Sequence, residues 1–433
     1  MKFYSSYNPD APQLTNTWGD FNKIINYIVD GLPDQNITSV EMNEPFKVIV
    51  TLDSPAKCAK NETFKIENCD NLNYNRDYIV SSYSGNQVFL YNLALTEILP
   101  ASTNGILKLV TPGWTRKFGG VSDSRTVIKN AYGMEYRFDD RDFGPLVTPQ
   151  VTTDSWMKVC RVSMSSNYTS LDSTDSPIFP YEASRPEQTF SASGKYLPNC
   201  LIIYNKNPSI NDSYGTDYIT SDSSNTANTR GPMNWSIYAN ENFIYFCLKQ
   251  NYSNVRIYHF IGNIENDSFM QTWYLNNTYD NVDNENSFPT HVGYSNNYYI
   301  QTLCNNFYTN YSSTSYAFSY NALNESFITL QSQKSLFQFQ DKVSSSLTSS
   351  NININGIQLF SPVALFYQNQ VYAILPDLLY CFNAYRPTEE NIVKIEDGFY
   401  SPIYIKNKMS SDPTYDDGVS NGFGYIKLDI PGE

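Results

Sequence analysis

Between Ile37 and Val110 apolar residues recur at every second position in short runs, and no other feature constrains the chain so tightly. Phe46, Val48, Val50 and Leu52 recur at alternate positions, with the polar Lys47 and Thr51 among the residues between them, and the pattern continues with Phe64/Ile66, Tyr78/Val80 and Val88/Leu90. A period of two puts these side chains on one face of a strand, whereas a helix needs a period of about 3.6. Turn-forming clusters separate the runs at Asn43–Pro45, Asp53–Pro55, Asp70–Asn75 and Ser84–Asn86,. Pro100–Gly105 and Thr111–Gly113 bracket a last strand, Ile106–Val110. Short strands recurring about every ten residues predict a small antiparallel barrel or sandwich over residues 37–112.

Ahead of this segment the period changes. Trp18, Phe21, Ile24, Ile25 and Ile28 fall at helical spacing and predict a helix over residues 15–33,. Thr15 or Thr17 can cap its start, and Gly31 and Pro33 end it,. Its apolar stripe has two readings, packing on the following domain or docking on a neighbouring subunit. Residues 1–36 are therefore an N-terminal arm and helix. Residues 113–433 read as one larger, sandwich-like β-rich domain, with apolar strands at Phe243–Cys247, Leu359–Phe366 and Val371–Leu375. The polar tracts Asn205–Arg230 and Ser344–Asn353 predict long exposed loops within it,. The fold class expected is all-β and mainly antiparallel.

Composition narrows what such a fold does. Among 433 residues, 29 Lys+Arg against 43 Asp+Glu leave a net charge of −14, so nucleic acid is a poor partner,. Aromatic residues reach 15% and charged residues only 17%, which excludes a disordered acidic tail and a coiled-coil rod,. The sequence holds no run of about 18 apolar residues, so no membrane span is expected. Met1–Asp10 has no apolar signal core, which points to synthesis in a cytoplasm with reduced thiols,. The seven cysteines form no Cys-x-x-Cys pair, although Cys58 and Cys69 are close enough in sequence to pair across one loop,. Asn-x-Ser/Thr triplets such as Asn61-Glu62-Thr63 carry no glycan argument without a secretion signal,.

Signatures of catalysis are sparse. The two histidines, His259 and His291, stand in neither HExxH nor HxH, and His259 in a strand-like run reads as a satisfied side chain,. Gly120–Ser124 lacks the second glycine of a nucleophile elbow, and no Walker A or GxGxxG loop occurs,. Asp412–Gly418 imitates the start of a calcium loop, but Thr414 replaces an acid and Phe423 replaces the bidentate Glu,. Asp139-Asp140-Arg141-Asp142 follows a strand and reads as a network neutralised by Arg137 and Arg141, with a bound cation as the alternative,. A carboxylate pair for glycoside hydrolysis would show only in the fold. No catalytic, cofactor-binding or metal-ligating residue is assigned. Trp114, Asp139, Asp140 and Trp235 are instead assigned to a structural junction, a buried Trp beside a small barrel being suited to sealing it,.

Several segments, in this order, resemble a family of virion structural proteins of tailed bacteriophages. Its members open with Pro-x-Leu-x-Gly/Asn-Thr before a helix, similar to Pro12–Thr17. A small β-domain follows, resembled by Phe46–Leu52, Thr63–Asn68, Leu72–Val80 and Gln87–Tyr91. A Gly-Trp-x-Lys-x-Phe element is similar to Gly113–Phe118, and a Tyr-x-Arg-Val-Asp-Asp element to Glu135–Asp140. Later segments resemble Trp235–Tyr245, Leu359–Pro362 and Leu375–Leu378. The resemblance implies a non-enzymatic structural component of the virion, in the tail or tail tip, assembled in the host cytoplasm. It would form a homo-oligomer in contact with other virion proteins. A receptor- or glycan-binding module at the tail tip and an envelope-degrading enzyme are the alternatives.

Overall fold

The computed structural model describes residues 1–140 except Asn16 and Val121, residues 159–173, and beyond them 178–179, 201–205, 234–249, 256–264, 267–271, 316–321, 326–335, 360–367, 370–381, 392–395, 398–406 and 421–432. Among these, 24 strands accompany one α-helix and one 3-10 turn at Leu72–Tyr74. Every strand pairing described is antiparallel, so the chain is all-β as the alternation predicts.

The period-two segment closes on itself. Strands β2 (Gln35–Glu44), β3 (Lys47–Leu52), β4 (Thr63–Glu67), β5 (Asp77–Ser84), β6 (Gln87–Tyr91) and β7 (Ile106–Leu109) form a closed barrel in the order β2-β3-β6-β5-β4-β7. The alternating residues fill it: Val48, Val50, Leu52, Phe64, Ile66, Tyr78, Val80, Val88 and Leu90 are all buried, as expected of a six-stranded barrel too narrow for a channel. Phe46 departs from the sequence expectation. It sits at φ 70 in the β2–β3 turn rather than in the strand, its N–H donating to the Leu95 carbonyl at 2.7 Å and its ring 6.2 Å from that of Tyr91.

Helix α1 runs from Asp20 to Asp30, shorter than the predicted 15–33. Gly19 at φ 86 sets its start, and neither Thr15 nor Thr17 caps it. Asp20 engages Thr15 instead, accepting from its backbone N–H at 3.0 Å. Gly31 ends the helix at φ 77, with its N–H donating to the Tyr27 carbonyl,. The stripe Phe21, Ile24, Ile25 and Ile28 is fully buried within this chain. It is therefore not an exposed docking face for a neighbour, and Trp18 lies outside the helix, half-buried.

After the barrel, β8 (Thr115–Gly119), β9 (Arg125–Lys129), β10 (Glu135–Asp139), β11 (Val159–Ser165) and β12 (Ile178–Phe179) make a second sheet in the order β12-β11-β10-β9-β8, with β13 (Leu201–Asn205) also on β11. The third sheet has twelve strands. In chain order they are β1 (Lys2–Ser5), β14 (Asn234–Ala239), β15 (Phe243–Lys249), β16 (Arg256–Ile264), β17 (Asp267–Gln271), β18 (Tyr316–Asn321), β19 (Ser326–Ser335), β20 (Phe360–Tyr367), β21 (Gln370–Cys381), β22 (Val393–Ile395), β23 (Gly398–Lys406) and β24 (Asn421–Leu428). From β14 to β21 each strand pairs with the next, and β24-β23-β22 completes the far edge. The near edge is β1, brought from the opposite end of the chain.

Open twisted sheets rarely exceed about ten strands without curling, and this one curls. The Tyr238 hydroxyl meets Ser401 Oγ at 2.8 Å, and the Tyr245 hydroxyl donates to the Pro376 carbonyl at 2.8 Å. One face of β14–β16 (Trp235, Ile237, Ile244, Phe246, Ile261) joins the core shared by α1, the barrel and the second sheet. The other face (Tyr238, Phe243, Tyr245, Phe260) packs against Val363, Leu375, Leu378, Ile426 and Leu428. Burial on both faces explains why Phe243–Cys247 is continuously apolar instead of alternating.

Candidate functional site

One cluster of buried polar residues lies where arm, helix and barrel meet. Glu62, immediately before β4, is fully buried. Its Oε1 accepts from the Tyr27 hydroxyl at 3.0 Å and the Ser5 N–H at 3.2 Å; its Oε2 accepts from Asn8 Nδ2 and the Ala59 N–H, both at 2.8 Å. One carboxyl group therefore joins the arm (Ser5, Asn8), the helix (Tyr27) and a barrel loop (Ala59). Burial pushes it up to about 7, against the pull of those four donors,. Burial also raises the Tyr4 and Tyr27 phenols well above their usual range, with the Glu62 charge adding to the effect. The Cys58 thiol is pushed up to about 12 by the same two causes. Cys58 and Cys69 are both free, and the Cys69 thiol contacts Ser102 Oγ at 3.2 Å.

The four residues assigned from sequence occupy separate ties around this core. Trp114 is buried just before β8; its Nε1 donates to the Asn240 carbonyl at 2.7 Å and its ring lies 5.5 Å from that of Tyr136. Tyr136 in turn donates to the Gly262 carbonyl at 3.0 Å. The two bonds hold the second sheet against the β14–β15 turn and strand β16 of the third. Trp235 in β14 donates from Nε1 to the Pro12 carbonyl at 3.0 Å and meets the Tyr27 ring edge-on at 5.8 Å. Its backbone N–H donates to Ser6 Oγ at 3.0 Å.

Asp140 is a helix cap supplied from 119 positions away, its Oδ2 accepting the Phe21 N–H at 2.9 Å and its carbonyl accepting the Gly19 N–H at 3.0 Å. A carboxylate at this end of a helix satisfies an orphan donor and opposes the positive pole of the helix dipole. Of the network anticipated around Asp139 and Asp140, Arg141 lies outside the described residues and Arg137 turns away from both carboxyls. Asp139 lies in register between Arg125 and Arg161 of the flanking strands. Arg137 instead donates to the carbonyls of Leu171 and Ser173 at 3.1 and 3.0 Å and stands over the Tyr168 ring at 4.9 Å. Arg125 directs its own guanidinium to Asp172 and to the Leu171 carbonyl.

Some sequence features fall elsewhere. The backbone of His259 pairs with Phe246 in the β15–β16 ladder. Arg141, Asp142, His291, residues 206–230, residues 344–353 and the Asp412–Gly418 motif lie outside the described residues. Among the described residues no group of three or more His, Cys, Asp or Glu side chains is placed to hold a metal, and no helix is long and apolar enough to cross a membrane. Glu62, Asn8 and Tyr27 were not singled out by motif. The one signal for Glu62 is parity: Glu62, Phe64 and Ile66 are alternate residues, so the inward face of β4 extends back to a carboxylate,. The sequence matches no protein-family profile and no curated protein.

Proposed function

We propose that the chain is a structural, non-enzymatic component of a tailed-phage virion, in the tail or tail tip, assembled as a homo-oligomer in contact with neighbouring virion proteins. The ordered resemblance of segments from Pro12–Thr17 to Leu375–Leu378 suggests the family. The observation that carries the structural role is the use made of the junction residues. Glu62, Asp140, Trp114 and Trp235 each bond groups from another part of the fold, joining segments more than 100 positions apart in the chain in three of the four cases. A subunit that transmits load between neighbours needs such rigid internal ties.

The test is a reconstruction of the particle, supported by the mass of the purified protein in solution. A ring of density fitting the barrel and the curled sheet supports the reading, and a monomer absent from purified particles refutes it. Receptor or glycan binding at the tail tip is a second reading. It is favoured by Leu72 and Ile98, both largely exposed, on two loops of the barrel tied together by Asn71 Nδ2 to the Pro100 carbonyl and by the Tyr74 hydroxyl to the Leu99 carbonyl. Binding of the purified protein to host cells that is lost on Leu72→Ser/Ile98→Ser substitution would favour it over scaffolding alone.

A further inference from the structure

We propose that Asn104 is a site of spontaneous deamidation, and that the carboxylate it yields loosens the two barrel loops that Asp70 joins. The proposal does not depend on the virion assignment.

The chemistry lies in the turn that leads into β7. Asn104 is exposed and followed by glycine, so no side chain on the next residue shields its amide. Deamidation is an attack by the following backbone nitrogen on the side-chain carbonyl. Solvent hydroxide takes the Gly105 N–H proton, the nitrogen bonds to Asn104 Cγ, and the Cγ–Nδ2 bond breaks. The departing amide takes a proton from water and leaves as ammonia, which restores the hydroxide. Water then opens the cyclic imide at either carbonyl, leaving aspartate or isoaspartate at position 104.

The fold leaves this route open and retains the labile pair. The Gly105 carbonyl accepts the Ile37 N–H at 2.9 Å, but among the described residues no acceptor takes the Gly105 N–H, the attacking group. Asn104 stands at φ 61, in the left-handed region that asparagine tolerates better than most residues,. Gly105 stands at φ 113, and a Cβ there would lie 3.0 Å from the Glu67 carbonyl oxygen and 3.3 Å from the Cys69 backbone,. Any other residue at 105 would strain the turn, so the glycine that makes Asn104 labile is required by the backbone.

The consequence follows from what the amide touches. Asn104 Nδ2 donates to Asp70 Oδ2 at 2.9 Å, the same oxygen that accepts from Thr103 Oγ1 at 2.8 Å. Beside them the Asp70 N–H donates to the Thr103 carbonyl at 3.3 Å and the Asn71 N–H to Ser102 Oγ at 2.9 Å. These bonds tie the β4–β5 loop to the β6–β7 loop, the two that present Leu72 and Ile98. Deamidation replaces a donor to Asp70 with a second carboxylate, so an attraction becomes a like-charge repulsion at hydrogen-bond range.

Peptide mapping by mass spectrometry of the full chain, held at pH 8 and 37 °C, tests the site. Asn104 should convert to a mixture of aspartate and isoaspartate, roughly ten-fold or more faster than Asn421. The Asn421-Gly422 pair lies in β24, where Gly422 is paired with Ile405 of β23. The site is overturned if Asn104 keeps its amide over the time in which a free peptide of residues 102–107 half converts, or if it converts no faster than Asn421. Hydrogen exchange of Asn104→Asp tests the consequence. Protection of the Asp70 and Asn71 amides should fall about three-fold or more relative to the parent, with Val50 and Val88 in the barrel unchanged. Equal protection of Asp70 and Asn71 in variant and parent overturns the loosening, as does an equal fall at Val50 and Val88, which would mean that the whole barrel opens.

Discussion

Replacing Trp114 by Ala tests whether the tie between the second and third sheets carries stability. The ring is buried against Tyr136 and its N–H is bonded to the Asn240 carbonyl. An indole buries about 200 Å² of surface, which at roughly 25 cal/mol/Å² is worth about 5 kcal/mol. Measured truncations of buried aromatics cost about 3–5 kcal/mol, so a loss of about 4 kcal/mol is expected. An unfolding entropy of about 2.1 cal/mol/K per residue over 433 residues gives about 0.9 kcal/mol/K,. If the chain melts as one unit, Tm should fall by about 4 °C; if the junction melts as a smaller unit, the fall is larger. Trp114→Phe separates the two contributions. It keeps most of the apolar contact but leaves the Asn240 carbonyl without its donor, a cost of about 1–3 kcal/mol. Calorimetry and urea unfolding of both variants supply the numbers. A Trp114→Ala melting curve superimposable on the parent would refute the argument, and a Phe variant as unstable as the Ala variant would show that the hydrogen bond, not the packing, holds the sheets.

Three further perturbations follow from the same contacts. Glu62 is raised from 4.5 to about 7 on folding, so its contribution is complete below pH 4.5 and lost as pH rises through 7; the shift corresponds to about 3 kcal/mol. Urea midpoints should therefore show a decline in stability from pH 5 to pH 8 that Glu62→Gln flattens. Asp140→Ala should cost about 1–2 kcal/mol by removing the cap on the Phe21 N–H, and Asp140→Asn less, because the amide oxygen still accepts,; chemical denaturation of the pair checks the order. Gly262→Ala should cost more than about 2 kcal/mol, since φ there is 153 and an added Cβ would press on Phe243 and lie 2.5 Å from the Asn242 carbonyl oxygen,; a variant of unchanged midpoint would contradict it.

How much was legible in the sequence depended on how local the cause was. Barrel strands announced themselves because one face is core and the other is not: Val48, Val50, Val88 and Leu90 are buried, while Ile49 and Phe89 between them are only half-buried,. The helix stripe was readable for the same reason, but its start was not. Asp140 caps it from just beyond β10, and no rule of local spacing predicts a cap supplied across the fold. The edge strand Lys2–Ser5 was invisible because its partner Ser236–Ala239 is more than 230 positions away and four residues carry no period. Trp114 and Trp235 stood out as rare, bulky residues. Glu62 did not, because a lone carboxylate at a strand start looks like a surface residue until the parity of Phe64 and Ile66 is continued through it.

The aromatic richness of the chain has a clear use among the described residues. A strand layer buried on both faces, as β14–β16 is, forces turns and strand ends of adjoining layers into the core with carbonyls to satisfy,. Aliphatic side chains fill the space but cannot answer those carbonyls. Tyrosine and tryptophan do both, with an apolar body for the layer and a donor at its far end. That is where the tips go. Tyr4 reaches the Val110 carbonyl, Tyr136 that of Gly262, Tyr245 that of Pro376, Trp114 that of Asn240 and Trp235 that of Pro12, at 2.7–3.0 Å in every case. Each bond crosses from one structural element to another, so the same side chain packs a layer and fixes its register against the next. A Tyr→Phe change at these positions leaves packing intact and strands a carbonyl. The loss should therefore appear at Tyr136 and Tyr245, each about 1–3 kcal/mol by urea unfolding, and be absent at the exposed Tyr7 and Tyr132. Equal tolerance at all four sites would mean that the hydroxyls are incidental and that area alone selects the aromatic residues.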